Sequence, residues 1–241
     1  PNGGMEWALS MLNTNLDMDI SKYVMVDFSA LTDIIDELGG IELTVTDEEA
    51  EHLSNYCVSV SKVAEKDYER LPSGGTYLMD GVQATAYCRI RYGGGNDYKR
   101  TLRQREVIAK IVDKAKSADI GTLNKMMDEV FPKISTNISK SEILSMGMSM
   151  LSYKIGETTG FPFWHRTSED GKYNEVPVTL EKNVDQLHIF LFGDEDYEPS
   201  DDVVERSNYI INQTGFSEDT TVSDENYQSS GDELSEKGQE S

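Results

Sequence analysis

The sequence predicts an α/β fold on three observations. A strand, a helix of about ten residues and a second strand succeed one another between Tyr23 and Val45. A strand bearing two arginines, a run of glycines and a long helix occupy Thr85 to Ala115. Elsewhere apolar residues recur every three or four positions, as amphipathic helices require.

In chain order, Met5, Ala8, Leu9, Leu12 and Leu16 mark a first helix. Tyr23 to Phe28 reads as a strand with Val24, Val26 and Phe28 on one face. Ser29 is placed to cap the next helix, whose stripe is Leu31, Ile34, Ile35 and Leu38, and Gly39-Gly40 supply its left-handed stop. Ile41 to Val45 is the second strand. So compact a βαβ unit predicts parallel pairing with a right-handed crossover. Asp27, at the carboxyl end of its strand, has two readings: a ligand-facing acid on the binding edge of an open sheet, or a capping acid.

Asp47 to Asp67 is Glu-rich and reads as a helical or irregular excursion; Leu71 to Gly75 is a turn. A short turn and helix from Leu78 then leads into the arginine strand. Beyond Ala115, helices are predicted over Ile120–Phe131, Ser141–Leu151, Val184–Phe192 and Val203–Ile211. Phe161 to Arg166 is aromatic, either an edge strand or the lip of a groove for an apolar ligand. The chain after Ser217 has almost no apolar residues and is expected to be disordered.

Composition narrows the function. The net charge is -22 over 241 residues, and Asp194 to Ser241 carries fifteen acids against two bases, about -13 of the total. An acidic chain lacks the broad basic surface that general nucleic-acid binding needs, and no helix-turn-helix is evident. Two cysteines, Cys57 and Cys88, are too few for a disulfide scaffold, and Cys88 reads as a small core residue. His52, His165 and His188 are too scattered for a zinc site or a triad. The chain starts with Pro, without a signal segment or an apolar run near 18 residues, and reads as a fragment.

Against this background Thr85 to Lys116 holds nine Lys or Arg and three acids. Strand alternation places Arg89 and Arg91 on one face, about 6–7 Å apart, opposite Ala86, Cys88 and Ile90. Gly93 to Gly95 turn the chain, and Asn96 or Asp97 caps a helix carrying Ile108, Ile111, Val112 and Ala115. Arg100 and Gln104 lie on that stripe, with Arg103 beside it. Guanidinium groups match phosphate oxygens in paired hydrogen bonds, and helix-start amides add to the attraction, so the cluster predicts a phosphate site. The alternative is a solvated basic helix face with Asp97 as no more than a cap.

Three runs, YVMVDFSALTDIIDELGGIELTV, LPSGGTYLMDGVQATAYCRIRY and NDYKRTLRQRE, taken in that order, resemble the LytR-CpsA-Psr family of cell-envelope phosphotransferases. The resemblance covers Pro1 to Ala115, and the stretch from Gln186 to Ile210 is similar to the carboxyl extension of some members. It implies an α-β-α sandwich around a central mixed sheet, truncated at its amino end. Residues 1–155 would form the catalytic-type portion, 156–213 a helical extension and 214–241 an acidic tail. It further implies transfer of a polyprenyl (pyro)phosphate-linked glycopolymer, teichoic acid or capsular polysaccharide, onto peptidoglycan. Localisation would be the extracellular face of the bacterial membrane, through an anchor outside this chain. By position, Asp97 and Arg100 would be catalytic and Arg89, Arg91, Arg103 and Gln104 would bind substrate. Mg2+ would assist, held by acids upstream of Pro1. The loop at Gly93–Gly95 and Lys99 departs from the family pattern. A non-catalytic lipid-phosphate sensor or carrier is the rival reading.

Overall fold

The computed structural model describes residues 4–91, 96–149, 154–168 and 174–222. These fall into two compact units. The larger lies within 24–156; the smaller joins the stretch before Val24 to the chain from Glu157 onward.

In the larger unit, β1 (Val24–Met25) leads into α2 (Phe28–Glu37). The cap of α2 is Asp27, whose Oδ1 accepts from the Ala30 amide at 2.8 Å, rather than Ser29. Asp27 therefore fulfils the capping reading, and its carboxylate is engaged at the helix start. Gly39 and Gly40 take φ of 76° and 82°, the left-handed stop that the sequence demands. Then come β2 (Ile41–Val45), α3 (Asp47–Ala64), β3 (Gly75–Met79) and α4 (Gly81–Tyr87).

The expected parallel βαβ unit does not form. β2 pairs antiparallel with β3, Ile41 opposite Met79 and Val45 opposite Gly75, while β1 pairs antiparallel with β4 (Ser135–Thr136). Among the described residues every sheet is a two-stranded antiparallel pair, so the α/β class stands and the parallel crossover does not. The stretch from Val26 to Gly40 is long enough for a crossover, but β1 and β2 do not pair with each other: each takes a later strand, β4 and β3, as its partner.

The arginine strand is also corrected: Thr85, Ala86 and Tyr87 are the last turn of α4, not the start of a strand. Asp80 and Gln83 close a capping box at the front of α4, and all seven of its residues are buried. An element apolar on every side shows neither period, so alternation at Ala86, Cys88 and Ile90 mimics a strand. The Glu-rich excursion likewise resolves into one 18-residue helix, α3, fixed by the Thr46–Glu49 capping box. Its Ala50, Leu53, Cys57 and Val60 face Ile35, Leu43, Met79 and Tyr87 in the core. α4 packs so tightly on α2 that a Cβ on Gly81 would lie 2.2 Å from the Thr32 carbonyl oxygen. α5 (Asn96–Ser117) buries Val107 and Arg103 on this core, followed by α6 (Ile120–Lys125), a π turn (Met126–Val130) and α7 (Lys140–Ser149).

Both cysteines are buried and free, and burial pushes each thiol up to about 12, so they remain protonated packing groups. Asp36 ties helices together: Oδ1 accepts from the Gly81 amide at 2.6 Å, and Oδ2 meets Lys66 Nζ at 2.7 Å.

The smaller unit contains α1 (Met5–Leu16), the hairpin β5 (His165–Thr167) with β6 (Glu175–Pro177), α8 (Leu180–Phe192) and α9 (Asp201–Thr214). The aromatic stretch settles as packing beside an edge strand: Phe163 meets Phe161, Trp164 and Phe190 at centroid distances of 6.0–6.3 Å. Leu180, Val184 and Val203 form the core with Leu16, Phe161 and Ile210 against them. Asp17, in the left-handed region at φ 48°, accepts from the Ser200 amide at 2.7 Å, the Ser200 hydroxyl at 2.6 Å and the Tyr197 hydroxyl. His188 stacks on Tyr197 at 3.7 Å, and its Nε2 lies 2.9 Å from the Leu16 carbonyl. The expected disordered tail lies, from 223 onward, outside the described residues.

Candidate functional site

The site follows from what comes after α4. The helix ends at Tyr87 because the chain is drawn off it: the Arg91 amide donates to the Tyr56 hydroxyl at 3.3 Å, and Arg103 Nη1 donates to the Ile90 carbonyl at 3.2 Å. Ile90 is buried, with Arg89 half-buried on one side of it in sequence and Arg91 exposed on the other.

Arg89 is held on three sides. Its Nη1 donates to Ser59 Oγ at 2.8 Å, its Cζ lies 4.6 Å from the Phe28 ring centroid, and the Tyr56 ring is 6.0 Å away. The aromatic faces attract the cation, and among the described residues only Ser59 accepts a hydrogen bond from it. Ser59 Oγ in turn donates to the Tyr56 carbonyl at 2.9 Å. One turn of α3 thus touches both Arg89 and Arg91.

Arg103 is engaged inside the fold. It is 7% exposed, and its Nε and Nη2 both donate to Glu49 Oε1, at 2.9 and 2.8 Å. Glu49 is itself 7% exposed, and its Oε2 accepts from the Thr46 amide at 2.9 Å. With the bond to Ile90, these contacts make Arg103 a brace between elements. It links the start of α3 to the carbonyl between Arg89 and Arg91, and its Cζ lies 5.7 Å from the ring of fully buried Tyr87. The Tyr87 hydroxyl donates to Glu106 at 2.9 Å; burial, with Glu106 beside it, pushes that phenol far up.

Gln104 is exposed, and its Nε2 reaches the Cys88 carbonyl at 3.4 Å, a long bond at the end of α4. Arg100 is half-buried in the second turn of α5. Asp97 lies in α5, but its side chain is outside the described residues, as are 92–95. The helix-start anion site expected there lies outside the described residues. Arg89 and Arg91 follow directly on the end of α4, and each meets α3.

The residues that sequence reasoning missed, Glu49, Tyr56 and Ser59, all come from α3. Glu49 and Tyr56 are seven apart and share a face. The Thr46-x-x-Glu49 spacing before an apolar run was the signal that could have exposed this helix. A separate cleft of about 510 Å3, lined by Asp47, Glu51, Arg70 and Ser73, opens at the start of α3, away from Ser59 and with none of the predicted site residues. Among the described residues no three His, Cys, Asp or Glu cluster to hold a metal. The described residues therefore offer no donor set for the magnesium that the resemblance implies.

The LytR_cpsA_psr family model matches residues 1–186, and the chain belongs to that family. Among curated relatives it is 32% identical over 141 residues to biofilm regulatory protein A of Streptococcus mutans, covering 58% of this chain and 33% of that protein. It is 27% identical over 165 residues to the polyisoprenyl-teichoic acid–peptidoglycan teichoic acid transferase TagT of Bacillus subtilis, covering 67% and 48%. Of solved structures, one from Enterococcus faecalis described as a transcriptional regulator superposes with TM-score 0.60 at 24% identity, over 89% of this chain and 74% of that one. TagV of B. subtilis gives 0.57 at 23%, over 82% and 72%. These structural likenesses establish the fold. The chain spans about a third to a half of the length of the curated relatives it matches.

Proposed function

We propose that this chain supplies the phosphate-binding half of a transferase that moves a polyisoprenyl-linked glycopolymer, such as teichoic acid, onto peptidoglycan. The observation that carries the reading is the Arg89 guanidinium, held by Ser59 and laid over Phe28 two positions before exposed Arg91. Support comes from relatives named as teichoic acid transferases.

In this reading the two arginines bind the pyrophosphate of the donor lipid. A peptidoglycan hydroxyl attacks the phosphorus that carries the glycan, the bond from that phosphorus to the bridging oxygen breaks, and the lipid phosphate leaves with the electron pair. The arginines neutralise the charge gathering on the leaving phosphate; fixed donors of this kind lower the barrier by about 3–4 kcal/mol each. The acceptor's proton passes to a base, the role proposed for Asp97, with Arg100 beside it. Arg103 and Gln104 hold the backbone that presents Arg89 and Arg91. The reaction is placed at the outer face of the cytoplasmic membrane, where its acceptor lies.

The test is transfer of labelled lipid-linked teichoic acid to peptidoglycan by the protein that carries this chain. Arg91→Ala is expected to reduce turnover about a hundredfold or more, with a thermal midpoint close to that of the parent. Equal loss of turnover and folding stability would rule out the assignment, and lipid binding without transfer by the parent would make it a carrier.

A further inference from the structure

We infer that Ser59 and Tyr56, one turn apart on α3, are positioning residues that set the Arg89 and Arg91 pair before the phosphate arrives. The inference rests on the phosphate-binding reading just given. Its basis is a closed chain of hydrogen bonds. The Ser59 hydroxyl donates to the Tyr56 carbonyl at 2.9 Å and accepts from Arg89 Nη1 at 2.8 Å. The Tyr56 hydroxyl accepts from the Arg91 amide at 3.3 Å, and its ring stands 6.0 Å from the Arg89 Cζ.

Ser59 has one proton and uses it on its own helix, so its oxygen is oriented as an acceptor for Arg89. The bond from Arg89 to Ser59 uses one N–H of five, leaving the guanidinium oriented with donors to spare. Arg89 is a long side chain with many rotamers, and fixing it at folding removes that cost from the binding step. Tyr56 acts on the other arginine through the main chain, fixing where the Arg91 side chain begins. α3 is rooted in the core through buried Leu53, Cys57 and Val60, so the alignment is inherited from the rigid part of the unit.

The experiment measures binding of geranyl pyrophosphate to the chain by isothermal titration calorimetry for the parent, Ser59→Ala, Ser59→Thr, Tyr56→Phe, Arg89→Ala and Ser59→Ala/Arg89→Ala. Thermal midpoints are recorded in parallel. Losing the charge-assisted bond to Arg89 predicts that Ser59→Ala weakens binding about tenfold, and losing the neutral bond from the Arg91 amide predicts about fivefold for Tyr56→Phe. Ser59→Thr, which keeps the hydroxyl, restores binding. In the Arg89→Ala background Ser59→Ala adds nothing, because its effect acts through Arg89. Additive losses, or unchanged affinity in Ser59→Ala and Tyr56→Phe while Arg89→Ala abolishes binding, would overturn the inference and leave the proposed function standing. Equal affinity in the parent and Arg89→Ala, or no binding by the parent, would overturn the phosphate-binding reading and the inference with it.

Discussion

Removing the Glu49 carboxylate tests whether Arg103 is structural. Both groups are 7% exposed, and Glu49 Oε1 accepts two of the guanidinium's hydrogen bonds. Glu49→Ala leaves a cation in the core with only the Ile90 carbonyl among its hydrogen-bond partners recorded above, and strips the Thr46 amide of its acceptor. Breaking one side of a buried pair costs about 3–5 kcal/mol. For a unit of this size that corresponds to a fall of about 9–15 °C in the thermal midpoint. Replacing both partners, Glu49→Met with Arg103→Met, removes the stranded charge with little change in volume and is expected to recover most of the loss. Differential scanning calorimetry of the parent and the two variants supplies the measurement. A fall of less than about 1 kcal/mol for Glu49→Ala, or a double variant no better than the single, would show that Arg103 is solvated and free to meet substrate.

Three further outcomes follow from the packing and the charges. Gly81→Ala would force a Cβ to within 2.2 Å of the Thr32 carbonyl oxygen, so we expect about 3 kcal/mol or more of destabilisation in urea titrations. Burial, with Asp36 nearby, raises Asp80 above its usual value, so its charge costs stability as pH rises through that raised value. Asp80→Asn, which keeps the capping oxygen, should therefore raise the midpoint at pH 7, whereas Asp80→Ala should lower it. Burial works to raise Asp17 as well, but hydrogen bonds from Ser200 and Tyr197, with His188 nearby, prevail and hold it below 3.8. A depressed carboxylate contributes fully above that usual value and loses its contribution as pH falls below it, so acid titration of the smaller unit should show a transition below about pH 4 that Asp17→Asn removes.

How much of this was legible in the sequence varied with the kind of signal. Helices with one apolar stripe and a clear stop, such as α2 with its Gly39-Gly40, could be read because one face repeats and the other is polar. α4 could be read only in part: a short helix was expected there, but burial on every side erases the stripe, so its last turn and the arginines after it were assigned to a strand they do not occupy. The pairing direction of β2 depended on where β3 would return, which a local pattern does not encode. At the site, Arg89 and Arg91 stood out as basic residues in an acidic chain. Arg103 looked the same by charge, since its partner Glu49 lies 54 residues away and only the packing of α5 against α3 brings the two together. Phe28, Tyr56 and Ser59 carry no unusual chemistry and gain meaning only from the guanidinium they surround.

The anchoring of Asp17 bears on the order in which the protein is made. Its partners Tyr197 and Ser200 are 180 and 183 residues downstream, and the Leu16 carbonyl waits for His188, 172 residues away. During synthesis, residues 24–156 emerge with their contacts already in hand and can condense early. The helix that precedes them must wait for its partners until the ribosome has passed Ser200.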